Sequence, residues 1–127
     1  MSETRKVLAI DYSKRRIGLA IGFRGVIETL PVLVKGEKSA FGVIKNLCQE
    51  EKVDQVVVGI SEGKSARMSR RFAKRVQDVL KLPVLLIDET LTTYQAKQLR
   101  PKEKMVDSVA AALILDKFWR QKGGSSV

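Results

Sequence analysis

The chain has 127 residues, a formal net charge of +10, no histidine and a single cysteine, Cys48. These counts exclude Ser-His and Cys-His catalysis, histidine-ligated or multi-cysteine metal sites, and an intramolecular disulfide. The length predicts one domain over residues 1–127, and the surplus of positive charge favours a polyanionic partner, nucleic acid above all. No segment has the apolar length of a membrane span or of a secretion signal, so we expect a cytoplasmic protein that binds no membrane.

The predicted elements begin with three strands that form an antiparallel meander. Residues 6–11 are a short buried apolar run, and residues 16–22 alternate between large apolar side chains and glycine or alanine. The small face of this second strand predicts a close approach by another element. The third strand covers residues 26–34, and Pro31 within it predicts an edge position or a bulge.

Helices and strands alternate after the meander. Apolar residues at helical spacing predict helices near 38–51 and over 65–80, while β-branched and aliphatic runs predict strands over 55–60 and 83–87. Cys48 lies on the apolar side of the first helix, which predicts a buried packing thiol.

The C-terminal part of the chain is predicted to be helical. A short helix near 91–99 ends before Pro101, a longer helix runs from about 104 to 121, and residues 122–127 form a flexible tail. The resulting order β-β-β-α-β-α-β-α-α predicts an α/β fold with a mixed five-stranded sheet and helices on its faces. Strands one, four and five run parallel in this arrangement, so their carboxyl ends lie along one edge.

Acidic residues follow several apolar runs. Asp11 ends the first strand, Glu62 follows the fourth, Asp88 and Glu89 follow the fifth, and Asp107 precedes three alanines in the last helix. Carboxylates beside a core cost free energy, so their repetition indicates a shared function. Hard cations such as Mg²⁺ prefer oxygen ligands of this type. The sequence therefore predicts a divalent-metal site within a basic protein, a combination that suits a nuclease.

Four segments carry a likeness to a known family. They are residues 11–18, 56–61, 88–93 and 107–115, which begin Asp-Tyr-Ser, Val-Val-Val-Gly, Asp-Glu-Thr and Asp-Ser-Val. In this order and spacing they resemble the motifs of the YqgF/RuvX family, RuvC-like Holliday junction resolvase homologues of the RNase H-like superfamily. The resemblance implies an RNase H-like three-layer α/β/α fold and a nuclease that processes the 5′ end of pre-16S rRNA in ribosome biogenesis.

Departures from the family pattern leave alternatives open. Ser13 stands where the family usually has glycine, Ser61 where it has proline, and Thr90 where it has arginine, which removes a cation beside the predicted metal site. One alternative is a Holliday junction resolvase acting on branched DNA, and another is a non-catalytic nucleic-acid-binding factor that retained the fold. Actin-like sugar kinases share a similar opening motif but need two such domains, and this chain is too short for them.

The resemblance and the chemistry of phosphodiester hydrolysis together predict roles for the acidic residues. Two Mg²⁺ or Mn²⁺ ions about 4 Å apart activate water and stabilise the leaving oxygen in such sites. Asp11 is predicted to bridge the ions, with Glu89 and Asp107 as the other catalytic ligands and Glu62 as a further candidate ligand. Asp88 is expected to support Glu89 or to cap the following helix. The simpler interpretation of each acid is a solvated loop residue or a helix cap.

Basic residues form two groups with predicted contacts to nucleic acid. Lys14 and Arg15 are placed near the scissile phosphate, and Arg16 near a neighbouring carboxylate or the nucleic acid. The second group lies on the predicted helix over 65–80 and on the residue before it, and no acidic residue interrupts it. It predicts a surface that binds the phosphate backbone, and the alternative is a solvated helix face. These cations are Lys64, Arg67, Arg70, Arg71, Lys74 and Arg75. Monomer and homodimer both stay open.

Overall fold

The computed structural model describes residues 5–12, 17–34, 37–60, 64–88, 103–121 and 125–126. Within these ranges the strands and helices predicted from apolar periodicity are confirmed, and their ends differ from the predicted ones by a single residue at most. The helix predicted near 91–99 lies outside the described residues. The elements are β1 (Val7–Tyr12), β2 (Ile17–Phe23), β3 (Val26–Val34), α1 (Glu37–Glu51), β4 (Gln55–Ile60), α2 (Lys64–Leu80), β5 (Val84–Asp88), α3 (Glu103–Gln121) and β6 (Ser125–Ser126).

A mixed sheet with the strand order β3-β2-β1-β4-β5-β6 forms the centre of the fold. β2 is antiparallel to β1 and β3, whereas β1, β4 and β5 run parallel. This confirms the predicted five strands and their shared carboxyl edge. β6 adds a two-residue strand beside β5, with Ser126 opposite Leu85 and Ser125 opposite Leu86. Within the tail predicted over 122–127, these two residues are therefore held by the sheet.

The strand β3 lies at one edge of the sheet, as the proline within it predicts. Ile17 of β2 pairs with Val34 and Leu19 pairs with Leu30, so β3 contains two extra residues in this interval. Pro31 falls in the irregular interval, where its missing N–H group disturbs no regular ladder. The predicted edge position and the predicted bulge are both confirmed.

Two apolar cores on opposite faces of the sheet give the fold three layers. Leu8 and Ile10 of β1 belong to the core shared with α1 and α2. Val7 and Ala9, which alternate with them, belong to the core shared with α3. Because successive side chains of a strand point to opposite faces, a strand covered on both faces is apolar throughout. None of the described helices is long and apolar enough to cross a membrane.

Stacked aromatic rings fix α2 against the sheet. Tyr12, at the end of β1, stacks on Phe72 of α2 with the ring centroids 4.4 Å apart, and Phe72 lies 5.3 Å from the ring of Phe41 in α1. Phe72 is fully buried and Tyr12 is buried too, so both rings serve packing. Each such ring pair contributes about 0.5–1.5 kcal/mol beyond its buried area, and together they hold α2 in place beside the end of β1.

The close approach predicted for the small face of β2 is made by α3. A Cβ atom added at Gly22 would lie 2.8 Å from the Trp119 ring and nearer still to the Leu115 side chain. Ala20, on the same face, is fully buried in the core of α3. The helix α3 therefore packs directly on the backbone of β2, which only a strand face of glycine and alanine allows.

Gly22→Ala is expected to lower the free energy of unfolding by about 1–3 kcal/mol, because the added methyl group overpacks the contact with α3. Equilibrium urea denaturation measures the change. Gly42→Ala is the matched control, since Gly42 is exposed on α1 and a Cβ there meets nothing within 4 Å. The control is expected to gain about 0.5–1 kcal/mol. Equal stability of the two variants would contradict the packing of α3 on β2.

The thiol of Cys48 is buried between α1 and the sheet, as predicted from its place on the helix. Burial disfavours the thiolate and raises the pKa of Cys48 from 9.0 to about 11. In the unfolded chain the thiol ionises near its ordinary pKa. The neutral buried thiol therefore contributes its full stabilisation below pH 9, and this contribution is lost as the pH rises towards 11.

The difference in unfolding free energy between the wild type and Cys48→Ala is expected to shift by about 2–3 kcal/mol in favour of the variant between pH 9 and pH 11. Urea denaturation of both proteins across this range gives the difference, in which the other titrating groups cancel. A difference independent of pH would show that the folded protein ionises this thiol as readily as the unfolded chain does.

Candidate functional site

Asp11 is the predicted site residue that the structure describes most fully. It lies near the carboxyl end of β1, at the edge where β4 and β5 also end, and its side chain is 8% exposed. Among the side chains that the structure describes, it is the only buried carboxylate. Because a buried carboxylate costs free energy unless it is compensated, its presence in a strand that is otherwise apolar indicates a functional role.

The side chain of Asp11 lies on the face of the sheet that α3 covers. Asp11 follows Ala9 by two residues and so shares its face, and Ala9 belongs to the core of that helix. Ala110 and Ala111 of α3 are fully buried, and Ala112 packs partly against the same core. The small alanine side chains therefore line the side of α3 that packs on the sheet.

Both cross-strand neighbours of Asp11 are glycines. Asp11 pairs with Gly18 on the antiparallel strand β2 and with Gly59 on the parallel strand β4. Directly paired residues present their side chains on the same face, with Cβ atoms about 4.5–5.5 Å apart in an antiparallel pair. The residues paired directly with Asp11 on the two neighbouring strands therefore add no side chain beside its carboxylate.

The other predicted ligands are described only in part. Asp107 lies in the first turns of α3 and Asp88 ends β5, but their side chains are not among those described. Glu62 and Glu89 lie outside the described residues. The described side chains include no group of three or more histidine, cysteine, aspartate or glutamate residues that can hold a metal ion. The four-carboxylate cluster therefore stays a prediction.

The described part of the site fits a hard divalent cation. The donor at its centre is the carboxylate oxygen of a buried strand residue, which is the ligand type that Mg²⁺ and Mn²⁺ prefer. The chain has no histidine, so no nitrogen ligand of that type competes for a softer metal. Neither glycine beside Asp11 contributes a side chain that would compete with such an ion.

The cations predicted on α2 lie on its exposed side, opposite the buried Phe72. Lys64 begins the helix, but its side chain is not described, and residues 14–16 lie outside the described part of the chain. The predicted cations whose side chains are described are all exposed, namely Arg67, Arg70, Arg71, Lys74 and Arg75.

The exposed cations of α2 differ in their partners. The Nζ atom of Lys74 lies 3.8 Å from Oδ1 of Asp78, and the guanidinium of Arg75 lies 5.0 Å from the centre of the Phe41 ring. Both side chains are therefore partly engaged within the protein. The cations that make no ion pair with another described residue are Arg67, Arg70 and Arg71.

Asp11 and α2 lie on opposite faces of the sheet but meet at its carboxyl edge. α2 packs on the face that contains Ile10, whereas Asp11 lies on the face of α3. The helix begins at Lys64, shortly after β4 ends at Ile60, so its first turns lie at the edge where Asp11 is found. A nucleic acid that contacts both must pass over this edge.

The two glycines were not predicted as part of the site. Gly18 and Gly59 fall within the motifs and within predicted strands, and glycine inside a strand is a recognised signal of close approach by a ligand or another backbone. Their pairing with Asp11 depends on the register between strands, which the sequence pattern does not give.

Comparisons with known proteins find relatives over almost the whole chain. A family model described as "RuvX: Holliday junction resolvase" matches residues 5–121. The chain is 32% identical to a protein of Saccharophagus degradans named "Putative pre-16S rRNA nuclease", over 93% of this chain and 95% of the relative. It is 34% identical to a protein of the same name from Chromobacterium violaceum, over 91% of this chain and 98% of the relative.

Solved structures with a similar fold include Thermus thermophilus RuvC. A structure of T. thermophilus RuvC in complex with Holliday junction substrate matches with a TM-score of 0.68 and 13% identity, over 97% of this chain and 99% of that chain. A second structure of Thermus thermophilus RuvC has a TM-score of 0.56 at 15% identity. At such identities the likeness shows the fold, and it confirms the predicted RNase H-like α/β architecture.

Proposed function

The chain belongs to the RuvX family, and we propose that it is a divalent-metal-dependent nuclease that processes the 5′ end of precursor 16S rRNA. The family and the names of the curated relatives support hydrolase activity on nucleic acid. The structural observation that carries the proposal is Asp11, a buried carboxylate at the carboxyl edge of three parallel strands with glycine on both sides. A bound cation offsets the cost of burying such a charge.

The metal ligands in this proposal are Asp11, Glu89 and Asp107, with Glu62 as a further candidate. Bound divalent cations supply a nucleophilic water near neutral pH and stabilise the leaving oxygen. Asp11 provides a fixed negative charge, because β1 is covered on both faces and holds its position rigidly. With no histidine in the chain, proton transfers fall to water and to the carboxylates.

The geometry of α3 supports the choice of Asp107. Leu115 of α3 contacts Gly22, which pairs with Val7 at the start of β1. Going back along α3 from Leu115 to Asp107 covers about 12 Å of helix, and going forward along β1 from Val7 to Asp11 covers about 13 Å of strand. A helix that runs antiparallel to β1 would bring Asp107 to the level of Asp11, which supports the choice of Asp107 as a ligand.

Strand alternation supports Glu89 over Asp88 as the ligand from β5. Leu85 and Ile87 belong to the core of α3, on the face of Asp11, whereas Val84 and Leu86 belong to the opposite core. Glu89 follows Ile87 by two residues, the spacing of side chains that share one face of a strand. A strand that continues by one residue presents it on the face of Asp11.

The basic side of α2 is the proposed contact for the phosphate backbone. Lys64 and Arg67 lie in or near the first turn of α2, which contains no acidic residue. Cations at a helix N-terminus oppose the helix dipole and cost stability. A polyanion held there offsets this cost, and the counterions it releases add to the affinity.

Branched DNA is the second candidate substrate, because the matching family model is described as a Holliday junction resolvase. Phosphate contacts do not distinguish RNA from DNA, since the two differ in groove shape and in the 2′-hydroxyl group. A junction resolvase must cut two strands and is expected to act as a homodimer, whereas a monomer suffices for trimming an RNA end. The trimming role places the protein in the cytoplasm with the maturing ribosome.

The proposal is tested by incubating purified protein with precursor 16S rRNA and with a four-way DNA junction in parallel. Each substrate is incubated with Mg²⁺, with Mn²⁺ or with EDTA, and the mass of the protein in solution is measured by light scattering. Metal-dependent trimming of the rRNA end by a monomer supports the proposal. Preferred cleavage of the junction by a homodimer moves the assignment to a resolvase, and tight binding without cleavage identifies a non-catalytic binding factor.

A further inference from the structure

The two glycines beside Asp11 have backbone conformations that do not require glycine. Of the glycines in the described residues, Gly25 in the β2–β3 turn is the one with a positive φ, at 80°. Gly18 and Gly59 lie in regular strand pairing with β1. Glycine weakens a strand because it has no side chain to pack and loses more chain entropy on folding than other residues do. Gly18 lies opposite the irregular interval of β3, whereas Gly59 pairs regularly with both of its neighbouring strands. The identity of Gly59 therefore calls for an explanation other than backbone geometry, and Gly18 flanks the same carboxylate from the other side.

We propose that Gly18 and Gly59 keep open the space on both sides of the Asp11 carboxylate that a divalent cation and the substrate phosphate occupy. This inference rests on the proposed function of Asp11 as a metal ligand. It assigns the two glycines as positioning residues, which act through the space they leave beside Asp11.

The dimensions of a cation site explain why a single methyl group matters. A Mg²⁺ ion lies about 2.0–2.1 Å from its ligand oxygens and keeps several waters in an octahedral shell. A Cβ atom on a directly paired strand residue stands about 5 Å from the Cβ of Asp11. An ion held by Asp11 would have its other ligands in this region, and a methyl group from either side would compete with them.

The surrounding residues do not restore the lost space. Ala9 on β1, Ala20 on β2 and Val57 on β4 lie on the same face and are fully buried, and α3 covers this face with Ala110 and Ala111. Since protein interiors are close-packed, a methyl group added next to Asp11 is expected to displace whatever lies beside the carboxylate.

The test compares Gly18→Ala and Gly59→Ala with Gly42→Ala, a glycine of the exposed side of α1 with open space around it. Isothermal titration with Mn²⁺ alone measures metal affinity, urea denaturation measures folding, and cleavage is measured with the better substrate. Both strand variants are expected to stay folded, to bind Mn²⁺ about 10–100-fold more weakly and to lose cleavage by a similar factor. Gly42→Ala is expected to match the wild type in Mn²⁺ affinity and in cleavage.

Three outcomes overturn the inference. Wild-type Mn²⁺ affinity in both strand variants shows that the space is not used by the ion, and unfolding of both variants shows that the glycines serve the fold. A wild-type protein that binds no Mn²⁺ removes the premise. A wild-type protein that binds Mn²⁺ but cleaves neither substrate overturns the proposed nuclease function, while weaker Mn²⁺ binding by the strand variants still supports the inference.

Discussion

Asp11→Asn is expected to abolish metal-dependent cleavage, with a rate loss of roughly 10³-fold or more. The amide keeps the size of the carboxyl group but removes the negative charge that would hold a divalent cation. The variant is expected to stay folded in EDTA, because the substitution conserves the size and shape of the side chain. Mn²⁺ is expected to raise the melting temperature of the wild type, since a ligand that binds the folded state stabilises it, and this shift is expected to vanish in the variant.

Asp116→Asn is the matched control for Asp11→Asn. Asp116 lies on α3. Its side chain is 40% exposed and forms an ion pair at 2.9 Å with Arg120 of the same helix. The loss of such a surface pair costs about 0–1 kcal/mol, and cleavage is expected to stay at the wild-type rate. A folded Asp11→Asn protein that cleaves as fast as this control would contradict the assignment of Asp11 as a metal ligand.

Features that depend on one element at a time were predictable from the sequence. The alternation in β2 predicted that Ile17 and Leu19 face a bulky core while the other face admits a closely packed element, and α3 fills that role at Gly22. Pro31 predicted an edge strand. The apolar residues at helical spacing over 65–80 predicted a helix with one buried side, and Phe72 is fully buried there. In each case local periodicity decides which side chains leave water, and burial of apolar area dominates the folding free energy.

Features that depend on the register between elements were not predictable in the same way. Gly18 and Gly59 are far apart in the chain and meet at Asp11 because of how β2 and β4 pair with β1. The guanidinium of Arg75 on α2 contacts the ring of Phe41 on α1. One of the cations predicted to contact the phosphate backbone is therefore partly engaged within the protein. The roles of Glu89 and Asp107 rest on the motifs, on strand parity and on the position of α3.

Neutralising the three cations of α2 without a described ion-pair partner is expected to weaken nucleic-acid binding roughly 100-fold at 0.15 M salt. The variant carries Arg67→Gln, Arg70→Gln and Arg71→Gln. Each arginine that contacts a phosphate releases about 0.9 counterions on duplex DNA, so the slope of log affinity against log salt is expected to fall by about 2–3. Fluorescence anisotropy at several salt concentrations, with RNA and with the DNA junction, measures both quantities.

The rate of cleavage of the bound complex distinguishes a binding surface from a catalytic one. Because α2 lies on the sheet face opposite Asp11, the triple variant is expected to raise KM while kcat stays near the wild-type value. Lys74→Gln is the matched control, since Lys74 already lies 3.8 Å from Asp78. This substitution is expected to change the salt slope by less than the substitution of any one of the three arginines does. An unchanged slope in the triple variant would identify this side of α2 as a solvated face, and the path of the nucleic acid would then have to be sought along the carboxyl edge on the side of α3.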